Sequence, residues 1–258
     1  MQNQKLSDAL KKVATQYPED MVEGQVKDVD RVTFNIGVAL EAAKPKAPDE
    51  LEICDLGGGI GLFSVGCAAY GIKRTVLVDD FNDSVNQRVG ASIFDLHRSM
   101  GVEVISHDVV ENGIKDIEGA FDIITTFDSM EHWHHSPKKL FGEVAKKLKP
   151  GGTFVLGVPN CVNMRKRITV PLGIGKWSQM KDWYEADLFR GHVREPDVSD
   201  LKYIARDMGL TDVKIHGRNW LGYYSSKPAV RLLTKLMDYP LRLKPSLCSD
   251  IYLVGKKA

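Results

Sequence analysis

After about residue 50 the chain switches repeatedly between two hydrophobic rhythms. Short runs rich in Val, Ile, Leu and Phe read as buried strands near 51–55 (LEICD), 75–79 (TVLVD), 102–106 (VEVIS), 121–126 (FDIITT) and 153–158 (TFVLGV). Stretches of helical period lie between them, at 60–70, 84–100 and 136–148. Strands alternating with helices of about 10–15 residues predict a doubly wound α/β sheet with helices on both faces. Two more strands, near 211–216 and 250–255, follow a helix near 197–208. Ahead of the sheet, helical patterns at about 5–16 and 29–43 lead into the linker KPKAPDE. The Pro and Gly residues of KPGG, 149–152, are expected to stop a helix before the next strand.

One stretch breaks the rhythm. Residues 160–196 are too long for a simple connection, and such insertions tend to carry function. The expected organisation is a single domain over 1–258. Residues 1–48 form a helical cap, 49–160 a ligand-binding core and 161–196 an insertion. Residues 197–258 add the last helix and strands, with a basic amphipathic segment at 228–244.

Composition narrows the class. A chain of 258 residues, 43% of them apolar, can bury one large core. A formal net charge of +1 argues against a general nucleic-acid coat. Cys54, Cys67, Cys161 and Cys248 are scattered and form no CxxC pair, which fits a reducing compartment and disfavours a zinc ribbon. The polar start MQNQKLSDALKK has no apolar signal-peptide core, and no apolar run is long enough to span a bilayer. A cytoplasmic protein is expected.

The first strand runs into DLGGGIG. A dinucleotide fingerprint needs GxGxxG, but its third glycine position holds Leu62 or Ser64, depending on register. No Gly-Lys-Ser/Thr follows, so a Walker loop is absent as well. What remains is an acid followed by alternate glycines: Asp55, Gly57, Gly59 and Gly61. A carboxylate there suits an ammonium group better than a pyrophosphate, and glycines let backbone approach a ligand closely. Asp79 ends the second strand, 22 residues after Gly57, where ribose-binding acids stand in doubly wound folds. A nucleoside with a cationic, amino-acid-like tail meets both requirements, and S-adenosylmethionine is such a molecule.

On these residues the chain resembles the class I S-adenosylmethionine-dependent methyltransferases, in particular their bacterial small-molecule and sugar-modifying branch. EICDLGGGIG, VLVDD, SHDV, FDIITTFDSMEH and LKPGGTFVLGVPN resemble that family's five motifs, in order. The resemblance implies a Rossmann-like sheet, mostly parallel with an antiparallel last strand. It implies that Gly57, Gly59 and Gly61 line the cofactor and that Asp55 holds its amino group. Asp79, with Asp80 sharing or replacing it, would take the ribose. Asp108 and Val109 would take the adenine, and Asp128 would lie at the methionine end.

The acceptor is less legible. His132 in DSMEHWHHSP and His192 in RGHVREP are candidate bases for a hydroxyl acceptor. Buried packing remains an alternative for His132. No carboxylate-rich motif accompanies His132, His134 and His135, so no metal is expected. Between Lys138 and Lys181 ten Lys or Arg stand against one acid, Glu143. Arg165, Arg167 and Arg194, with Asn160, Trp183 and Tyr184, are candidate contacts to a small anionic acceptor such as a phosphorylated metabolite or nucleotide sugar. O-methylation of such an acceptor, in polysaccharide or secondary-metabolite biosynthesis, is the favoured expectation. A nucleic-acid or protein methyltransferase and a non-catalytic cofactor-binding subunit remain alternatives. The protein is expected to be a monomer or homodimer. Segment 228–244 would form a dimer contact or core helix, with contact to a membrane surface as the alternative.

Overall fold

The computed structural model describes residues 2–81, 92–175 and 178–258. Seven strands form one sheet: β1 Glu52–Leu56, β2 Arg74–Asp79, β3 Val102–Ser106, β4 Phe121–Phe127, β5 Leu148–Pro159, β6 Leu210–Arg218 and β7 Asp250–Lys257. Their order is β3-β2-β1-β4-β5-β7-β6. Pairing is parallel from β3 across to β5, and β7 runs antiparallel to both of its neighbours. This is the Rossmann-like arrangement expected, with an antiparallel last strand. Strand order reverses between β1 and β4. Ligands of open α/β sheets bind beyond the carboxyl ends of strands at that point.

The central strands are apolar almost throughout because helices cover both faces. On one face α1 Gln2–Ala14, α2 Glu19–Ala42 and α3 Leu62–Tyr70 bury Leu6, Leu10, Ile36, Val65 and Cys67 against Ile53, Leu77 and Ile123. On the other, the helices Lys138–Lys147 and Val198–Asp207 close over Phe121, Phe154, Leu156 and Leu253. Each fully buried Leu, Ile or Phe contributes about 1.5–3 kcal/mol. The N-terminal helices therefore share the main core and are more than an appended cap.

Several boundaries differ from the sequence pattern. The second helix starts at Glu19 rather than near 29. Pro18 precedes it, Glu19 and Asp20 occupy its first turn, and Met21 is buried. KPGG does not lie between helix and strand. Strand β5 begins at Leu148, pairing with Phe121, and regular pairing resumes at Thr153 with Ile123. KPGG forms the bulge between them, where Gly151 has φ +71°. A Cβ at Gly152 would lie 2.8 Å from the Lys149 carbonyl oxygen. The predicted helix 84–100 falls partly outside the described residues, with Ser92–Ser99 helical. Trp177 also lies outside them.

The insertion contains the short helices Met164–Thr169 and Met180–Tyr184. Segment 228–244 contains a helix, Pro228–Arg242, that leaves Leu232, Leu233, Leu236 and Tyr239 exposed and so is no core helix. Among the described residues, no helix is long and apolar enough to cross a membrane.

Candidate active site

The carboxyl ends of β1, β2 and β4 open into a cavity of about 1080 Å³. It is built first from the glycine turn after β1. Gly57 and Gly59 have φ +67° and +55°, a region side chains disfavour. A Cβ at Gly57 would lie 2.0 Å from Ser129 Oγ, and one at Gly58 would lie 2.1 Å from Asp55 Oδ2. The turn is anchored from both sides. The Gly57 N–H donates to the Val78 carbonyl, and the Tyr17 hydroxyl donates to the Gly61 carbonyl.

Asp55 is fully buried beneath this turn. Its two oxygens accept from Thr125 Oγ1 at 2.8 Å and Ser64 Oγ at 2.9 Å. Burial pushes the carboxyl up to about 6, against the pull of those two hydroxyls and aided by the negative field of Asp79. Asp79, at the end of β2, accepts from the Gly59 N–H at 2.8 Å and the Phe81 N–H at 2.7 Å. The β2 acid thereby fixes the glycine turn as well as facing the cavity. Asp80 is exposed at the rim. Asp108 Oδ1 caps the short helix Val109–Asn112 through the Val110 and Glu111 N–H groups.

Asp128, after β4, has φ +49°, and its N–H donates to the Gly157 carbonyl. Its carboxylate pairs with Arg31, which is itself gripped by both oxygens of Asp28 at 2.7 and 2.8 Å. Burial raises the Asp128 carboxyl, and Arg31 opposes the rise.

Beyond Asp128 lies a second cluster. The His132 and His192 rings meet edge to face with centroids 4.8 Å apart. His132 Nδ1 is 2.8 Å from the Arg190 carbonyl oxygen, and His192 Nδ1 is 2.7 Å from Glu195 Oε1. A carbonyl and a carboxylate only accept, so each Nδ1 is the donor, and in the neutral ring Nε2 carries the lone pair. Burial lowers His132, which favours the neutral ring. Burial opposes ionisation of Glu195, yet His192 and the buried Lys166 hold it down at about 2. Glu131, 1% exposed, is pushed up to about 8 by burial with Asp128 adding to the rise.

All nine cofactor positions expected from the sequence (Asp55, Gly57, Gly59, Gly61, Asp79, Asp80, Asp108, Val109 and Asp128) line this cavity, as does His132. The expected acceptor contacts are not among its lining residues. Asn160 is buried and spends its amide on the Ser246 and Cys248 carbonyls and the Val162 N–H. Arg167 donates to the Val162 carbonyl, and Arg194 lies on the surface 3.4 Å from Asp200. Arg165, Trp183 and Tyr184 are exposed. Instead the insertion brings Leu188 and Arg190 to the cavity, and α2 brings Asp28, Arg31, Val32 and Asn35. These positions lack a local motif. The only hint for Arg31 was an i, i+3 acid–base pair on a helix, which ordinarily reads as a solvated face.

A doubly wound sheet, a glycine turn and an acid at each neighbouring strand end define a nucleoside-binding α/β protein. The comparisons with known proteins give the family. The model of the methyltransferase domain matches residues 31–215, and the chain belongs to that family. Its fold is that of S-adenosylmethionine-dependent methyltransferases. The mitochondrial ubiquinone biosynthesis O-methyltransferase of Dictyostelium discoideum is 23% identical over 115 residues, 43% of this chain. The match spans only 36% of that relative's length. The fold is shared with a possible histamine N-methyltransferase of Thermotoga maritima: TM-score 0.53, 17% identity, 93% and 97% of the two chains covered. It is also shared with magnesium protoporphyrin IX methyltransferase of Synechocystis PCC 6803, solved with bound S-adenosylhomocysteine: TM-score 0.56, 12% identity, 94% and 89% covered.

The cavity suits this cofactor on its own chemistry. The backbone is bare where a Cβ would collide, and among the described residues Asp55 has neutral hydroxyls as its hydrogen-bond partners, so its charge is left for an ammonium group.

Proposed function

We propose that the protein O-methylates a small hydroxyl-bearing acceptor held between Asp128 and the His132–His192 pair. In this reading Asp55 attracts the cofactor's ammonium group and the glycine turn takes its backbone-facing side. Asp79 and Asp80 hold the ribose, and Asp108 and Val109 flank the adenine. The observation that carries the acceptor assignment is the pair of histidines, both with Nδ1 committed and Nε2 left as acceptor, beside the strand β4 end.

The bound cofactor supplies a sulfonium methyl group whose C–S electron pair stays on sulfur. The protein's residues do the rest. Arg31 pins Asp128 so that the methionine end of the cavity keeps its shape. His132 Nε2 takes the hydroxyl proton as the acceptor oxygen forms its bond to carbon, a contribution of about 10²–10⁴-fold. The Arg190 carbonyl holds the imidazole in the tautomer that can do so. Orientation of the acceptor adds as much as about 7–11 kcal/mol.

Arg190, at the cavity wall, supports an anionic group on the acceptor, a role that Arg165, Arg167 and Arg194 do not share. A panel of phenols, sugars and phosphorylated metabolites, scored by S-adenosylhomocysteine release, tests the reading. Expected is turnover of a hydroxyl acceptor that His132→Ala lowers at least 100-fold while the Kd for S-adenosylhomocysteine stays within threefold. Turnover confined to amines or thiols would refute O-methylation.

A further inference from the structure

Glu131 poses a problem that the methyl-transfer reading leaves unanswered. The residue is 1% exposed, and among the described residues its carboxyl Oε2 has no hydrogen-bond partner. Buried carboxylates are rarely left so, because desolvation is costly unless a cation or donors compensate. Nothing in the local chain requires an acid there. The backbone carbonyl of Glu131 is separately occupied, accepting from the Val193 and Arg194 N–H groups. Those bonds draw the insertion over β4 and deliver His192 beside Glu131.

One carboxylate oxygen of Glu131 and one ring nitrogen each of His132 and His192 lie within 4.8 Å of one another. Donors sharing one ion at about 2.1 Å lie about 3.0–3.4 Å apart, so side-chain adjustments of about an ångström close the set. Both imidazoles are already oriented as metal ligands usually are. His192 Nδ1 donates to Glu195 and His132 Nδ1 to a backbone carbonyl, which leaves the opposite nitrogens as donors to an ion. Glu195 is in turn fixed by the buried Lys166, so the outer partners form a continuous supported shell.

We propose that Glu131, His132 and His192 bind a divalent first-row transition-metal ion that holds the acceptor. Two imidazoles with one carboxylate favour Zn²⁺, Fe²⁺, Mn²⁺ or Co²⁺ over Mg²⁺ and Ca²⁺, which prefer all-oxygen sites. Three protein ligands leave coordination positions open, enough for two adjacent oxygens of one acceptor, and His132 sets the ion at the cavity wall that it lines. The preferred substrate is then a vicinal dioxygen compound, such as a catechol or an α-hydroxy acid. A coordinated hydroxyl loses its proton near neutral pH to solvent or a nearby base, and its oxygen keeps the lone pair that attacks the methyl carbon. His132 then serves as ligand rather than proton acceptor. This inference rests on the acceptor lying at the histidine pair, but metal binding itself requires no turnover.

The test uses the full chain, stripped with a chelator and then freed of it, titrated with Co²⁺ and followed by visible absorption and calorimetry. One equivalent is expected to bind with intensified d–d bands. Glu131→Gln and His192→Ala should each weaken Kd at least 30-fold, while His134→Ala/His135→Ala should change it less than threefold. A tenfold excess of Mg²⁺ should not displace Co²⁺. Failure of the wild type to bind one equivalent below 100 μM overturns the site. So does binding that survives Glu131→Gln and His192→Ala but disappears in the His134/His135 variant. A thermal shift with S-adenosylhomocysteine, run on every variant, reports folding and cofactor binding separately. A chain that binds S-adenosylhomocysteine but no Co²⁺ refutes the metal site alone. One that binds Co²⁺ but methylates no hydroxyl refutes the O-methylation reading alone.

Discussion

Replacing Asp55 by Asn should stabilise the free protein while weakening its hold on the cofactor. Burial carries this carboxyl from 3.8 up to about 6. At pH 7 the folded chain therefore holds its ionised form at a cost of about 3 kcal/mol relative to the unfolded chain. Asn carries no charge and fits the same space. Its carbonyl can accept from Thr125 and its amide can donate to Ser64, because a hydroxyl serves in either role. The sign of the pH dependence follows. Below about pH 3 the carboxyl is protonated in both states and costs nothing. As pH rises from about 4 to about 6 the folded chain keeps its proton while the unfolded chain loses it, so stability falls. Asp250, also raised to about 6, adds the same trend to both proteins, so the difference between them isolates Asp55. Urea denaturation without ligand should find Asp55→Asn more stable by up to about 3 kcal/mol at pH 7 and nearly equal to wild type at pH 4. For a chain of this size that is a rise of roughly 5–10 °C in Tm at pH 7. Calorimetry should show the opposite for binding. The Kd for S-adenosylhomocysteine should weaken about tenfold in wild type between pH 7 and pH 5, as Asp55 takes up its proton. In Asp55→Asn the Kd should be weak at both pH values. An Asn variant less stable than wild type at pH 7, or one that binds S-adenosylhomocysteine normally, would refute the assignment of a free buried charge.

Gly57→Ala must place a Cβ 2.0 Å from Ser129 Oγ at φ +67°, so it should raise the Kd for S-adenosylhomocysteine at least tenfold by calorimetry. The backbone strain alone costs about 1–2 kcal/mol. Arg31→Met leaves Asp128 and Asp28 as neighbouring carboxylates without their shared cation. It should destabilise the fold by about 1–3 kcal/mol in denaturant and lower kcat/KM for the identified acceptor at least tenfold. Leu10, fully buried on α1, shares the core cluster with Ile36 and lies where a Gly66 Cβ would stand. Leu10→Ala should cost about 2–5 kcal/mol in urea, whereas a dispensable N-terminal cap would show almost none. Arg190→Ala should raise the acceptor KM, whereas Arg165→Ala and Arg194→Ala should leave kinetics unchanged in the same assay.

Local patterns carried much of this protein. Alternating strands and helices specify a parallel doubly wound sheet because each strand must bury both faces and each helix one. The acids Asp55, Asp79, Asp108 and Asp128 could be placed because they sit at or just past the carboxyl ends of strands, and strand ends in such sheets converge on one edge. Glycine spacing could exclude a dinucleotide fingerprint because the third glycine answers to helix–strand packing. The acceptor end is different in kind. Arg165, Arg167 and Arg194 looked like an anion site by local charge density, yet exposed arginines on an insertion answer to the path that insertion takes. Arg31 reaches Asp128 from nearly a hundred residues away, and Glu131 meets His192 across sixty. No periodicity encodes such meetings. They arise when α2 packs over the sheet edge and when the Glu131 carbonyl captures the backbone at Val193 and Arg194. The sequence by itself determined the scaffold and the cofactor chemistry, since both follow from residues adjacent along single elements. Only the tertiary structure decided which charges stay buried together, because that depends on desolvation and contact between segments distant in the chain.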